Sequence, residues 1–250
     1  MLSSLYVRQI SLPHPLPADC YFSHLPVVQS IRQQPLELTS PVTFFVGENG
    51  VGKSTLIEAI AVSMGFNPEG GSRNFRFSTQ DTHSALSDSM RIAKGVRPKD
   101  GFFLRAESFY NVATNIDELD AGLGGPRLID GYGGVSLHQQ SHGESFMSLI
   151  ENRLNGDGLY IFDEPEAALS PSRILHLMRC IHDLTACRSQ FIISTHSPIL
   201  MAFPGATVFE ITPRGVAAVP YQETEHYQVS RLFFDDPDRM LYHLFHDDNL

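Results

Sequence analysis

Eight residues constrain this chain more than any other stretch: Gly47-Glu48-Asn49-Gly50-Val51-Gly52-Lys53-Ser54 fits the phosphate-binding pattern G-x-x-x-x-G-K-S/T at every fixed position. Before it, Val42, Phe44, Phe45 and Val46 form a β-branched and aromatic run suited to a buried strand, with Pro41 confined to its start. After it, Leu56, Ile57, Ile60, Ala61 and Met64 recur at helical spacing until Gly65 and Asn67-Pro68 supply a stop. Strand, glycine loop and helix in that order bring backbone N–H groups and a helix N-terminus to one point, which makes an anion site. Lysine occurs only at Lys53, Lys94 and Lys99, so a chance match is expected on the order of once in several hundred such chains. The pattern assigns these eight residues and the adjoining Thr55 to a nucleotide, with Lys53 on the β- and γ-phosphates and Ser54 on Mg²⁺.

The composition sets bounds on the rest. A chain of 250 residues, 42% hydrophobic, can bury one good core. Charges or Pro and Gly interrupt every apolar stretch well short of the roughly 18 residues that a membrane helix needs. Met1 to Ile10 lack a basic stretch followed by an apolar core, so no secretory signal is read and a cytoplasmic location is expected. Cys20, Cys180 and Cys187 are odd in number and in no C-x-x-C spacing, against both a disulfide framework and a zinc site. The formal charge of −10 is uneven: residues 221 to 250 set seven Asp/Glu against Arg231 and Arg239, a net −5. Residues 73 to 105 carry Arg73, Arg76, Arg91, Lys94, Arg97, Lys99 and Arg105 against Asp81, Asp88 and Asp100, a net +4. A second polyanion would bind there, although a solvated mixed-charge face explains the stretch equally well.

In chain order, Leu5, Val7, Ile10 and Leu12 alternate as an early strand and Leu36 to Thr39 as another, which predicts an N-terminal antiparallel β flap. Phe102 to Leu104 read as a buried strand followed by Arg105-Ala106-Glu107. Gly122, Gly124, Gly125, Gly131, Gly133 and Gly134 then crowd one region, which reads as a mobile surface loop. Ser141 with Glu144 three residues on is a capping box for a helix carrying Phe146, Met147, Leu149, Ile150 and Leu154. Leu159 to Phe162 form a continuous apolar strand ending in Asp163-Glu164, and two adjacent carboxylates at a strand end call for a cation opposite. Mg²⁺ is the natural candidate. Ser170-Pro171 opens the next helix, Phe191 to Ile193 give another buried strand, and His196 follows it. The tail predicts short strands around Val208 to Ile211 and Val216 to Val219, then a helix from Gln228.

Taken together, Gly-Glu-Asn-Gly-Val-Gly-Lys-Ser-Thr, Ser141-His142-Gly143-Glu144, Asp163-Glu164-Pro165-Glu166-Ala167-Ala168-Leu169-Ser170-Pro171 and Ser194-Thr195-His196-Ser197-Pro198 resemble the ATP-binding-cassette (ABC) class of P-loop ATPases. The wording is similar to its soluble RecF-like and chromosome-maintenance branch of free-standing bacterial AAA-family ATPases, over about Val42 to Leu200. The resemblance implies an α/β P-loop NTPase fold with a mainly parallel central sheet. It also implies a single domain over 1–250, with an inserted helical subdomain carrying the signature motif at about 80–155.

The resemblance further implies that Asp163 holds Mg²⁺ through water, that Glu164 orients or deprotonates the attacking water, and that His196 contacts the γ-phosphate. Ser141 and Gly143, at a helix N-terminus, would face ATP held by a second copy, in an ATP-dependent head-to-tail homodimer whose crossing loop is Ala167 to Ser170. Gln80 and Glu107 both compete for the glutamine position near the metal, Glu107 being preferred because it follows a strand. Arg73 or Arg76 would add a phosphate contact. His142 departs from the usual Ser-Gly-Gly signature. The implied activity is Mg²⁺-dependent ATP hydrolysis driving a conformational change in DNA maintenance or anti-phage defence, with DNA or a separate nuclease as partner. A transporter's ATPase subunit and a non-hydrolysing ATP switch are the alternatives.

Overall fold

The computed structural model describes residues 5–16, 20–73, 85–122 and 127–246. Arg76 and Gln80, both singled out above, lie outside the described residues. A six-stranded sheet is built from β3 (Val42–Gly47), β5 (Asp100–Arg105), β6 (Gly158–Asp163), β7 (Gln190–Ser194), β8 (Thr207–Thr212) and β9 (Gly215–Ala218). Its order is β5-β6-β7-β3-β8-β9, and every pairing is parallel except β8 with β9, which close a hairpin. Parallel strands need covered faces. Alternation along each strand divides the core accordingly: Phe44, Phe102, Leu104, Tyr160, Phe162, Phe191 and Ile193 point to one face. Phe45, Phe103, Leu159, Ile161 and Ile192 point to the other.

The first face is covered by α4 (Phe109–Gly122), α5 (His142–Arg153), α6 (Pro171–Ala186) and α7 (Pro198–Met201). The second is covered by α1 (Pro26–Gln33), α2 (Lys53–Ser63), α3 (Leu86–Ser89) and a small antiparallel sheet. That sheet has the order β2-β1-β4, from β1 (Val7–Ser11), β2 (Leu36–Glu37) and β4 (Arg91–Lys94). The N-terminal flap therefore forms, with a third strand that the sequence reading did not include. Two helices, α8 (Glu225–Asp235) and α9 (Pro237–His246), end the described chain, broken at Asp236-Pro237 where proline cannot continue the ladder.

Two expectations change. β4 and β5 belong to the sheets, so the helical portion that carries Ser141 and Gly143 starts at Phe109 rather than near residue 80. The glycine-crowded region is not simply a surface loop: within it Ile129, Tyr132 and Leu137 are buried in the first-face core. Gly133 and Gly134 have φ of 95° and 77°, so they turn the chain between anchored side chains. Among the described residues no helix is long and apolar enough to cross a membrane.

Candidate active site

The C-terminal ends of β3, β6 and β7 open toward one crevice, where parallel α/β sheets place their ligands. Gly47, Gly50 and Gly52 bend the loop between β3 and α2 at φ of 141°, 84° and 99°. A side chain at Gly52 would strike Val27 and Leu25 besides straining the backbone. Lys53, which follows this bend and opens α2, is 4% exposed. Lys53 Nζ donates to the carbonyls of Gly47 and Glu48, both at 2.9 Å. Burial lowers its pKa, while Glu164, Asp163 and Glu166 pull it back up. A cavity of about 300 Å³ over this loop is lined by Asn49, Gly50, Gly52, Lys53, Ser54, Thr55 and Glu164, with Tyr21 and Leu25 at its side.

Asp163 ends β6 with its carboxylate 7% exposed. Ser194 Oγ donates to Oδ1 at 2.5 Å, and Arg105 Nε stands 3.7 Å from Oδ2, too far for a hydrogen bond. The Ser54 hydroxyl also bonds to this carboxylate. Burial nevertheless raises the Asp163 pKa, with Ser194, Arg105 and Ser54 only partly offsetting it. A hydroxyl and a buried carboxylate in contact, short of positive charge, suit a hard divalent cation that takes its remaining oxygens from phosphate and water. Among the described residues no group of three or more His, Cys, Asp or Glu could hold a metal.

Glu164 occupies the left-handed region at φ 50°, ψ 55°, which non-glycine residues visit sparingly and which Asp157 and Arg188 also adopt, away from the crevice. Its N–H reaches Ser194 O and Ser194 Oγ, both at 3.1 Å, so one serine fixes both acidic residues. His196 Nε2 lies 3.3 Å from Glu164 Oε1, and His196 Nδ1 lies 2.8 Å from His226 Nε2 on α8. The His196 N–H donates to Glu166 Oε1 at 2.5 Å, and burial raises the Glu166 pKa.

The structure brings Lys53, Ser54, Asp163, Glu164 and His196 together and leaves Ser141 and Gly143 elsewhere. α5 starts at His142 against the turn at Pro165–Ala168 and against α6, and no residue from 141 to 144 lines the loop cavity. A side chain at Gly143 would collide with Arg173 and with the Ala168 carbonyl. Arg173 Nη2 lies 3.5 Å from Glu144 Oε1, tying the start of α5 to α6. Glu144 closes the expected box: Oε2 accepts the Ser141 N–H at 3.0 Å and the Ser141 hydroxyl at 2.6 Å. These bonds lower the Glu144 pKa. The His142 ring meets Phe109 edge-on, 5.7 Å between centroids.

Two singled-out residues stand away from the crevice. The Glu107 carboxylate is 90% exposed and, among the described residues, pairs with Arg105, at 3.8 Å. Arg73 requires a correction: Gly71 pairs antiparallel with Phe103, so the chain runs back along β5 and delivers Arg73 to its opposite end. There Arg73 lies over the Phe66 ring and lines a cavity of about 510 Å³ with Arg97, Lys99, Asp100 and Arg153. Four site residues escaped the sequence reading: Tyr21, Ser194, Glu166 and His226. Ser194 and Glu166 lie within motifs that were recognised but were given no role there, whereas only tertiary structure brings Tyr21 and His226 to the loop.

Comparison with known proteins agrees with this geometry. A family model described as an AAA domain matches residues 25–115. A second AAA-domain model, whose description names the AbiEii toxin and type IV toxin–antitoxin systems, matches residues 135–202. No curated protein matches the chain. Among solved structures, CbiO1 of Clostridium perfringens, part of the ABC transporter complex CbiONQ, aligns with TM-score 0.56 at 17% identity, covering 96% of this chain and 98% of its own. Another ATP-binding cassette of an ABC transporter aligns with TM-score 0.52 at 15% identity, covering 95% and 99%.

Proposed function

We propose that this chain, which is a P-loop ATPase with the ABC-type fold, hydrolyses ATP to ADP and phosphate in a head-to-tail pair of identical copies. One observation carries the reading: the phosphate cradle and the signature N-terminus occur in one chain, yet Ser141 and Gly143 are absent from the cavity that Lys53 and Glu164 line. A second copy can bring its Ser141–Gly143 end over the γ-phosphate, with a helix N-terminus offering free N–H groups. The partner crossing would be made by 167–170.

Within each site Lys53 leaves the Gly47 and Glu48 carbonyls for the β- and γ-phosphates, and the loop N–H groups hold the rest. Ser54 and Asp163 would hold Mg²⁺, which neutralises charge developing on the phosphate oxygens. Glu164 orients the attacking water and accepts its proton, and His196 donates to a γ-phosphate oxygen. The Tyr21 ring, 68% exposed beside the cavity, is free to stack on a nucleobase.

DNA maintenance or defence is the favoured role, with a DNA or nuclease partner, and Arg73, Arg97 and Lys99 around one cavity support a polyanion on that face. The alternative is a transporter's ATPase subunit, the role of the two cassettes it resembles; co-purification of a membrane-embedded partner would select it. The test is ATP turnover and oligomer mass for the wild type and Glu164→Gln, with and without DNA. Turnover by the wild type and an ATP-trapped dimer of the inactive variant support the mechanism, and DNA stimulation supports the role. ATP binding without turnover or dimerisation by either protein refutes it.

A further inference from the structure

The site contains a histidine pair of which the reaction above uses only His196. His226, in the first turn of α8, places Nε2 2.8 Å from His196 Nδ1, with ring centroids 5.0 Å apart. His196 Nε2 is sealed from water and, although 3.3 Å from Glu164 Oε1, has no aligned hydrogen-bond partner; His226 Nδ1 is likewise sealed and unpartnered. The two rings also line a cavity of about 390 Å³ with Glu48 and Asn49 of the phosphate loop.

Only one proton arrangement suits these contacts. If His196 carried its proton on Nδ1 and gave it to His226, its bare Nε2 would face the Glu164 carboxylate, acceptor against acceptor. His226 would then carry its own proton on Nδ1, a buried donor with nothing to receive it. A doubly protonated His196 removes the first conflict and keeps the second. If His226 instead donates from Nε2, His196 is protonated on Nε2 alone, that N–H faces the Glu164 carboxylate at 3.3 Å without an aligned bond, and the other unpartnered atom, His226 Nδ1, is an acceptor. Buried acceptors without partners are tolerated better than buried donors.

We infer that His226 is a positioning residue that fixes His196 in its Nε2–H tautomer, so that the proton needed for the γ-phosphate already points at the site. The inference rests on the phosphate-contacting role given to His196 above. In the ATP-free chain that N–H is held toward Glu164; when a γ-phosphate oxygen takes it, the Glu164 carboxylate is released to a water. Thr224 caps α8 by accepting the Tyr227 N–H, and the Glu225 N–H bonds to Glu210 on β8, which holds His226 in place. The register of α8 therefore governs the protonation geometry of the site.

The test begins with long-range ¹⁵N–¹H correlation spectra of the ATP-free full chain at neutral pH, with His196 assigned from His196→Gln. His196 protonated on Nε2 alone is expected; an Nδ1–H tautomer or a doubly protonated ring overturns the inference without touching the ATPase reading. In His226→Leu, His196 becomes a tautomer mixture and kcat falls about tenfold or more, as for loss of an orienting partner, while KM for ATP changes less than threefold. His226→Gln, whose side-chain amide can donate to His196 Nδ1, restores the Nε2–H signal and most of kcat. An unchanged His196 spectrum in a folded His226→Leu overturns the assignment, as does failure of Gln to rescue in a folded protein. An inactive wild type with the expected tautomer would instead count against the ATPase mechanism alone.

Discussion

Replacing Asp163 by asparagine should make the nucleotide-free protein more stable and the nucleotide-bound protein less so. The carboxylate is 7% exposed and its pKa is raised because burial outweighs its partners. Asparagine keeps an acceptor for the Ser194 hydroxyl and removes a charge that sits beside Glu164 and near Arg105, at 3.7 Å. Arg105 is not stranded, since its Nη1 holds Glu58 at 2.7 Å. Relief of the buried charge, less the long Arg105 contact, should be worth about 1–2 kcal/mol. For a domain of this size that is a Tm increase of about 2–8 °C. Saturating MgATP at a hundredfold over Kd stabilises the wild type by about 2.7 kcal/mol, roughly 5–11 °C, and the variant should lose most of that shift. Thermal unfolding with EDTA and with MgATP measures both. A lower Tm for Asp163→Asn in EDTA, or an undiminished MgATP shift, would refute the view that Asp163 is held for a cation at the expense of the empty fold.

Asp100→Asn should destabilise the fold by about 2–3 kcal/mol in chemical denaturation at neutral pH, because Asp100 takes Arg153 Nη1 at 2.9 and 3.1 Å and the Tyr160 hydroxyl at 2.8 Å. Burial opposes ionisation there, but Arg153 and the hydrogen bonds prevail and lower the Asp100 pKa. A lowered folded-state value means that this stability is present above the unfolded value near 4. It is lost as pH falls through the folded value, so wild type and variant should converge in strong acid. Tyr21→Ala should weaken ATP binding by about 1–2 kcal/mol, five- to thirtyfold in Kd, with a smaller change for inorganic triphosphate in competition titrations. Ser141→Arg, at an exposed position, should leave ATP binding intact and, on the cross-copy arrangement proposed above, abolish ATP-dependent dimerisation in light scattering; dimerisation at the wild-type level would refute that arrangement.

The central strands and the loop were legible because their physics is local. Both faces of β6 and β7 are buried, so Leu159 to Phe162 and Phe191 to Ile193 stand out as unbroken apolar runs. The helix α4 was missed although Phe109, Val112, Ala113 and Ile116 are all buried at helical spacing, because the glycines beyond it drew the whole region toward a loop reading. β4 was missed for a different reason: Arg91-Ile92-Ala93-Lys94 is an edge strand, largely exposed, with almost no apolar signal. Arg73 was misplaced because charge alone carries no address; the Gly71–Phe103 bridge, a long-range pairing, decides which end of β5 it reaches. His226 lies 30 residues beyond its partner in a tail whose only sequence signature is acidity, so no local pattern could have joined them.

The conflicts in this crevice have a common remedy. Lys53 is buried with only carbonyls to hold, Asp163 is buried without enough positive charge, Glu164 sits in the sparingly visited left-handed backbone region, and His196 Nε2 lacks an aligned acceptor. Each departure alone is ordinary for one residue in a folded protein. Four within one crevice are not, because a sequence selected only for stability would resolve them with apolar or neutral side chains. MgATP supplies what is missing: phosphate oxygens for Lys53 and for the His196 N–H, and a cation for Asp163. By the same reasoning the start of α5, whose capping box is satisfied within its own chain, shows no such conflict, and on the arrangement proposed above it would meet a nucleotide bound by a second copy.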